Sequence, residues 1–267
     1  MSLDLRGVTY RYAGGSGVAL ADVELSLAPG EVLGVVGANE AGKSTLCLVA
    51  AGLAPATIGG RLQGTVHIDD LQTATARPFE LAQRCGVLFQ NPVTQLSGTA
   101  PTVWEEVAFA PRNLALPLAE VVARVESALA AMGITELAER DPARLSGGQA
   151  QLVALASVLA LRPAYLILDE PTSQLDPQGT RLVGEALARL VASNGAGVLL
   201  TEHKTDLLWR LAGRVAVLEG GRVVACGAAH EVLADQRLPA WGVEPPARVR
   251  LARAADRAGV SLPELAA

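Results

Sequence analysis

The segment Gly37 to Ser44 limits the possible folds of this chain more than any other part of it. Its sequence is GANEAGKS, and it follows a short, strongly apolar stretch at 31–36. A strand is predicted at 31–36, and a helix is predicted from Lys43 to about Leu53. Backbone N–H groups of such a loop, with the N-terminus of the helix, surround phosphate oxygens. The sequence therefore predicts an α/β core that binds a nucleotide between strand and helix.

Two side chains at the end of this loop have the chemistry that a phosphate site needs. Lys43 adds a positive charge at the β- and γ-phosphates, and the Ser44 hydroxyl can bind Mg²⁺. The alternative is a glycine turn in which Lys-Ser occurs by chance. The order strand, loop, helix favours the phosphate loop.

A second apolar strand, predicted at 165–168, ends in the carboxylates of Asp169 and Glu170. Next to a phosphate loop, Asp169 can hold Mg²⁺ through water, and Glu170 can orient and polarise the attacking water. The alternative is an acidic strand end that caps the following helix. Because the chain also contains a phosphate loop, the catalytic interpretation is favoured.

The segment Leu145 to Gln149, LSGGQ, is a second small polar loop and opens an apolar stretch that runs to Leu161. It offers the Ser146 hydroxyl and the amides of the two following glycines at a helix start. The alternative is a serine that only caps the helix. One nucleotide does not need two such loops from one subunit, so the second loop indicates a second subunit.

These motifs, in this order, resemble those of the ATP-binding-cassette ATPases, and the resemblance covers nearly all of the chain. It implies that ATP and Mg²⁺ are bound. The nucleotide-binding residues that it implies are Tyr12, Gly37, Asn39, Ala41, Gly42, Lys43, Ser44, Thr45, Ser146, Gly147, Gly148 and Gln149. The implied catalytic residues are Glu170, His203 and Gln90, and the implied metal ligands are Ser44, Gln90 and Asp169.

The resemblance also assigns roles to four further positions. Tyr12 resembles the aromatic residue that stacks on adenine, although an aromatic residue in a strand core is an alternative. Gln90 resembles the glutamine that senses Mg²⁺ and water and links two subdomains. The segment 173–176 resembles the loop through which paired subunits communicate, and His203 resembles the histidine that contacts the γ-phosphate.

In this family two cassettes pair head to tail. The resemblance implies that each ATP lies between the phosphate loop of one subunit and the 145–149 loop of the other. N–H donors and a helix dipole opposite Lys43 can stabilise a triphosphate in a water-poor interface. We therefore expect a second ATPase subunit, either another copy of this chain or a related protein.

Five stretches, at 89–96, 102–109, 113–117, 242–246 and 249–251, resemble the ATPase subunits of energy-coupling-factor importers. Those importers take up vitamins and transition-metal ions. The resemblance implies two membrane partners, a transmembrane coupling component and a substrate-capturing membrane protein. It places this chain as a peripheral protein on the cytoplasmic face of the cell membrane.

The region from Trp104 to Asn113 is where such subunits receive cytoplasmic helices of the membrane partner. The alternative is that these residues are simply the core of a helical subdomain. For Val107 and Phe109 individually, the core interpretation is favoured.

The predicted fold class is α/β, with a P-loop NTPase core and a mostly parallel sheet. Alternating apolar residues in 3–10 and 23–27 predict an N-terminal antiparallel β subdomain. We predict a cassette domain at 1–235 that contains a helical subdomain at about 101–160. The segment 236–267 is predicted to be a peripheral helical tail.

Composition excludes several function classes. The net charge of −5 and the pI of about 5.3 argue against a nucleic-acid binder. No apolar run reaches the roughly 18 residues of a membrane span, and no signal peptide is recognised. Cys47, Cys85 and Cys226 are interpreted as reduced core thiols of a cytoplasmic protein.

Two other functions compete with transport. A DNA-repair or chromosome ATPase of the same superfamily would insert a long coiled coil between the two loops, and no heptads occur there. A translation-related cassette protein usually has two cassettes in one chain.

The phosphate loop also departs from the family pattern. Glu40 stands where most cassettes have glycine, and our hypothesis is that its carboxylate faces solvent or the partner cassette.

Overall fold

The computed structural model of the chain describes residues 1–15 and 17–259. The last part of the predicted tail, 260–267, lies outside the described residues. Within the described part, no helix has both the length and the apolar character needed to cross a membrane.

Strands and helices alternate through most of the chain. The strands are β1 Leu3–Arg11, β2 Leu20–Leu27, β3 Val32–Val36, β4 Arg61–Ile68, β5 Leu71–Gln72, β6 Cys85–Leu88, β7 Tyr165–Asp169, β8 Gly197–Thr201, β9 Arg214–Glu219 and β10 Arg222–Ala228. The helices are α1 Lys43–Ala50, α2 Pro78–Arg84, α3 Val103–Asn113, α4 Leu118–Ala131, α5 Gly147–Ala160, α6 Pro177–Asn194, α7 Thr205–Leu211, α8 Ala229–Leu233 and α9 Ala247–Ala258.

The strands form two sheets. The first is antiparallel, in the order β2-β1-β4-β5. The second has the order β10-β9-β3-β8-β7-β6, in which only the β9–β10 pairing is antiparallel. This confirms the predicted α/β fold class with a mostly parallel sheet and an N-terminal antiparallel sheet.

The parallel strands bring the chemistry to one edge of the second sheet. β3, β7 and β8 are buried along their whole length, as parallel strands covered on both faces are. β3 and β7 both pair with β8, so the carboxyl ends of all three strands lie together. Ligands of open parallel sheets bind at this edge.

Two apolar cores hold the sheets and helices together. One joins the antiparallel sheet to α1 and one face of the parallel sheet. The other joins the opposite face to α3, α4 and α5, where α5 packs against both of the other helices. Five residues at helical spacing were predicted for this helical region. Val121, Val125, Leu129 and Met132 are buried, whereas Val122 is only partly buried. The boundaries of the subdomain at about 101–160 stay a prediction.

Two sequence interpretations were wrong about burial. Cys47 and Cys85 are buried, but Cys226 is exposed because β10 is an edge strand with no buried residue. The tail is not wholly peripheral, since Leu238 and Val243 belong to the main apolar core. A side chain on Gly242 would lie 2.8 Å from Ala38, so the start of the tail packs against the phosphate loop.

A buried carboxylate fixes the connection into α3. Glu106 is buried, and its two oxygens accept hydrogen bonds from the backbone N–H of Ser97 (2.7 Å) and the Ser97 hydroxyl (2.6 Å). This ties the segment that follows Gln90 to the helical region.

We predict that Glu106→Ala lowers the free energy of unfolding by about 1–3 kcal/mol, because the Ser97 groups lose their acceptor. The measurement is urea denaturation. The control is Glu126→Ala on the exposed face of α4, which should change the free energy by no more than about 0.5 kcal/mol. Equal losses in the two variants would contradict the proposed role of Glu106.

Candidate active site

Close backbone contacts explain both glycines that frame the phosphate loop. A Cβ on Gly37 would lie 2.3 Å from the carbonyl oxygen of Leu218. Gly42 has φ of 104°, and a Cβ there would lie 2.8 Å from the carbonyl oxygen of Ala19. Larger residues cannot occupy these positions without moving β9 or the segment before β2. α1 begins directly after Gly42, at Lys43.

Lys43 is buried at the centre of the loop. Its Nζ donates to the carbonyl oxygens of Gly37 (3.1 Å) and Ala38 (3.0 Å), and it lies 3.9 Å from Glu170 Oε1. Burial lowers the pKa of the Lys43 ammonium, while the nearby carboxylates of Glu170 and Asp169 act in the opposite direction. The ammonium group therefore lies inside the loop, between the carbonyl oxygens of the loop and the Glu170 carboxylate.

A cleft of about 470 Å³ opens over this loop. Its lining residues are Tyr12, Val18, Ala19, Glu40, Gly42, Lys43, Ser44, Thr45, Gln90, Glu170, Gly220 and Gly221. Among the predicted loop residues, Asn39 is exposed at the tip and Ala41 is buried beneath it.

Tyr12 stands at the side of this cleft. Its side chain is partly exposed, and its hydroxyl lies 3.0 Å from Thr45 Oγ1. The ring meets Tyr10 edge-on, at 5.0 Å between centroids. Because Tyr12 lies beyond the end of β1 and is exposed, it is not a core aromatic residue of that strand.

The three predicted catalytic side chains meet at one carboxylate. Gln90 Nε2 donates to Glu170 Oε2 at 2.9 Å, and His203 Nε2 lies 2.9 Å from Glu170 Oε1. Glu170 has φ of 49°, a left-handed conformation that costs energy for a residue other than glycine. Such strain is concentrated at functional sites.

Thr201 is a part of the site that the sequence did not indicate. It is fully buried, and its hydroxyl donates to Asp169 Oδ1 at 2.7 Å and accepts from the Glu170 N–H at 3.1 Å. The available signal was a hydroxyl residue at the carboxyl end of a strand that was otherwise apolar. Thr201 fixes the orientation of Asp169, the last residue of β7, and of Glu170, the residue that follows it.

The 145–149 loop lies elsewhere in the subunit. Ser146 caps α5, because its hydroxyl accepts from the Gln149 N–H at 3.3 Å while Gln149 Oε1 accepts from the Ser146 N–H at 3.1 Å. The capping interpretation therefore describes the local structure, and it leaves Gly147 and Gly148 at a helix N-terminus. None of the residues 145–149 lines the phosphate-loop cleft. The fold thus separates the two predicted phosphate-binding loops within one chain.

Comparison with known proteins identifies the family. The model of the family described as ABC transporter matches residues 20–173, more than half of the chain. The chain belongs to the ABC transporter ATPase family. The matched residues include both the phosphate loop at 37–44 and the 145–149 loop.

Within this family, the chain is similar to one named relative and to two proteins of known structure. The energy-coupling factor transporter ATP-binding protein EcfA2 of Symbiobacterium thermophilum is 42% identical over 247 residues, which are 92% of this chain and 84% of that protein. The solved structure of cbiO1 from Clostridium perfringens, part of the ABC transporter complex cbiONQ, has a TM-score of 0.78 and 30% identity, and covers 97% of this chain and 98% of its own. The dimeric cassette MJ0796, solved with ADP and Pi, has a TM-score of 0.75 and 27% identity over 86% of this chain and 99% of its own.

The departure at Glu40 has a structural explanation. Glu40 is exposed at the rim of the cleft and has φ of 63°, a conformation that glycine adopts at no steric cost. The carboxylate can therefore turn to solvent without losing a buried partner.

We predict that Glu40→Gly changes the Kd of the ABC ATPase for ATP by less than about tenfold, 1.4 kcal/mol, because a solvated carboxylate repels phosphates only weakly. Equilibrium titration of the lone subunit measures this, and Lys43→Ala, which should bind far more weakly, shows that the assay responds. A gain in affinity of more than tenfold for Glu40→Gly would mean that the carboxylate points at the nucleotide.

Proposed function

We propose that this chain is the ATP-hydrolysing subunit of an importer of the energy-coupling-factor type for a vitamin or a transition-metal ion, and that two cassettes pair head to tail in it. One observation carries the pairing: the phosphate-loop cleft and the 145–149 loop are both formed, but in different parts of one subunit. A second cassette must therefore supply the second loop to each ATP.

The proposed roles on the phosphate side follow from the contacts. The N-terminus of α1 and the Lys43 ammonium bind the phosphates, and the exposed Tyr12 ring stacks on adenine. Glu170 accepts the proton of the attacking water, since its carboxylate is buried at the cleft and lies beside Lys43. Gln90 and His203 hold that carboxylate from two sides and orient it toward the water.

The donor set fits Mg²⁺. Ser44 contributes an exposed hydroxyl in the first turn of α1, and Asp169 contributes a carboxylate held by Thr201. The Gln90 amide nitrogen is engaged on Glu170, which leaves its oxygen as the possible ligand. Oxygen ligands of this kind suit Mg²⁺, which is bound with substrate phosphates.

The described residues form no cluster of three His, Cys, Asp or Glu that would hold a metal alone. When bound, the ion neutralises charge on the phosphates.

On the opposite side of each ATP, the partner cassette presents its own 145–149 loop. Ser146, the two glycine amides and the N-terminus of α5 supply donors for the terminal phosphate. This second subunit is another copy of the chain or a related ATPase.

The exposed apolar surface of α3 and of the start of α4 supports the proposal of membrane partners. Val107 is fully buried, as predicted for a core residue, but Phe109 is 50% exposed and the core interpretation was wrong for it. Leu118, at the start of α4, is 67% exposed. We assign this surface to the transmembrane coupling component, which a substrate-capturing membrane protein joins. The chain then works as a peripheral protein at the cytoplasmic face of the membrane.

Nothing in the described residues favours a role on nucleic acid. The longest helix between the two loops has 14 residues, which leaves no room for the coiled coil of a chromosome ATPase. The net charge of −5 also argues against a nucleic-acid binder, because the domains of such proteins are usually basic.

We predict that Glu170→Gln binds ATP as tightly as the wild type but hydrolyses it at least about a hundredfold more slowly, because the base is lost. The protein should then remain a closed dimer in ATP, which gel filtration and phosphate release measure together. Glu126→Gln on α4 is the control for the loss of a carboxylate. Rapid turnover by Glu170→Gln would refute the assignment of the base.

We predict that Ser146→Arg leaves ATP binding by a lone subunit unchanged and lowers hydrolysis by the pair about a hundredfold, because a long charged side chain replaces a phosphate donor. Ser146→Ala removes the same helix cap without adding bulk, so it should lose less activity. Thermal unfolding checks that both variants are folded. Wild-type turnover by Ser146→Arg would show that the loop does not act on the partner's nucleotide.

A further inference from the structure

Lys204, the residue after His203, is one of only two lysines in the chain. Its Nζ donates to the carbonyl oxygens of Thr172 (2.8 Å) and Leu175 (3.1 Å) and lies 2.8 Å from the Thr180 hydroxyl. An ammonium group has three protons, so these three oxygens use its whole donor capacity. A surface lysine that only solvates the protein would not be held in this way.

The neighbouring Glu202 makes a second connection between the same two segments. It is 2% exposed, and its Oε2 accepts from the Thr172 hydroxyl at 2.7 Å. Its Oε1 accepts from the backbone N–H groups of His203 (3.1 Å) and Lys204 (3.3 Å). The carboxylate therefore holds both the loop after β7 and the backbone that carries His203.

The segment 173–176 is fixed at both ends and exposed between them. The Leu175 carbonyl is held by Lys204, and Asp176 caps α6 by accepting from the Gly179 N–H at 2.7 Å. Ser173 and Gln174 are exposed. A Cβ on Gly147 would lie 2.6 Å from Gln174 Oε1, so this segment also adjoins the start of α5.

These contacts place Lys204 between two parts of the site. On one side it follows His203, which lies 2.9 Å from the catalytic carboxylate of Glu170. On the other side it holds the segment that adjoins the 145–149 loop. The residue next to His203 therefore donates hydrogen bonds directly to the backbone of 173–176 and to the segments that flank it.

We propose that Lys204 is a positioning residue that couples the nucleotide state at His203 to the 173–176 segment, and through it to the second ATP site of the pair. Glu202 supports it by fixing Thr172. The inference rests on the proposed head-to-tail pairing, because 173–176 reaches another site only there. Lys204 itself touches neither ATP nor the attacking water.

The test compares Lys204→Met with Lys204→Arg in the assembled ATPase pair. Met keeps the length of the side chain and removes the charge and the donors, whereas Arg retains both. Arg210→Met removes an exposed positive charge from α7, the helix that begins directly after Lys204, and serves as the matched control. The measurements are kcat, KM and the Hill coefficient for ATP, with ATP binding and thermal unfolding of the lone subunit.

We expect Lys204→Met to lower kcat about tenfold and to bring the Hill coefficient from above one to one, with the ATP affinity of the lone subunit within about twofold of wild type. Lys204→Arg should recover part of both losses, and Arg210→Met should match the wild type. A purely structural role would instead lower the unfolding temperature and the ATP affinity together.

Unchanged kcat and Hill coefficient in Lys204→Met would overturn the inference. A wild-type Hill coefficient of one, or a loss of kcat matched by an equal loss of lone-subunit affinity, would also overturn it. Failure of the proposed pairing has a different signature, since Ser146→Arg would then keep wild-type turnover whatever Lys204→Met does.

Discussion

The position of the Glu170 carboxylate is the constraint on which the rest of the site depends. It is held by Gln90 and His203 at 2.9 Å each, and these residues come from segments separated widely along the chain. The backbone at Glu170 is in a left-handed conformation, and its N–H is bonded to Thr201. A change in any of these segments therefore moves the carboxylate that we propose as the base for the attacking water.

The parallel sheet is what allows this arrangement. Asp169 pairs directly with Thr201 in the register of β7 and β8, so the residues that follow each strand emerge side by side. β3 pairs with β8 from the other side, and the phosphate loop follows it. All three strands are buried along their whole length, as is typical of parallel strands covered on both faces.

The sequence predicted the local features of this site and missed the connections between them. The phosphate loop and the carboxylates at the end of β7 could be found because each has a pattern within a few residues, and the fold class could be found because apolar patterns recur along the chain. Thr201 and Lys204 could not be found in this way, since their partners, Asp169 and the 172–180 segment, lie 24 to 32 residues away. The burial of Cys226 and Phe109 was predicted wrongly for the same reason. Both residues have apolar neighbours in the sequence, but tertiary packing decides that Cys226 lies on an edge strand and that Phe109 lies on an exposed helix face.

A dilution series shows whether each ATP is enclosed by two subunits of the proposed pair. The specific ATPase activity and the oligomeric state of the ATPase pair would be measured in the same samples, over concentrations that convert dimer to monomer. If each ATP lies between two subunits, the activity falls in proportion to the dimer fraction while ATP binding to the monomer persists. A monomeric fraction that hydrolyses ATP at the rate of the dimer would contradict it.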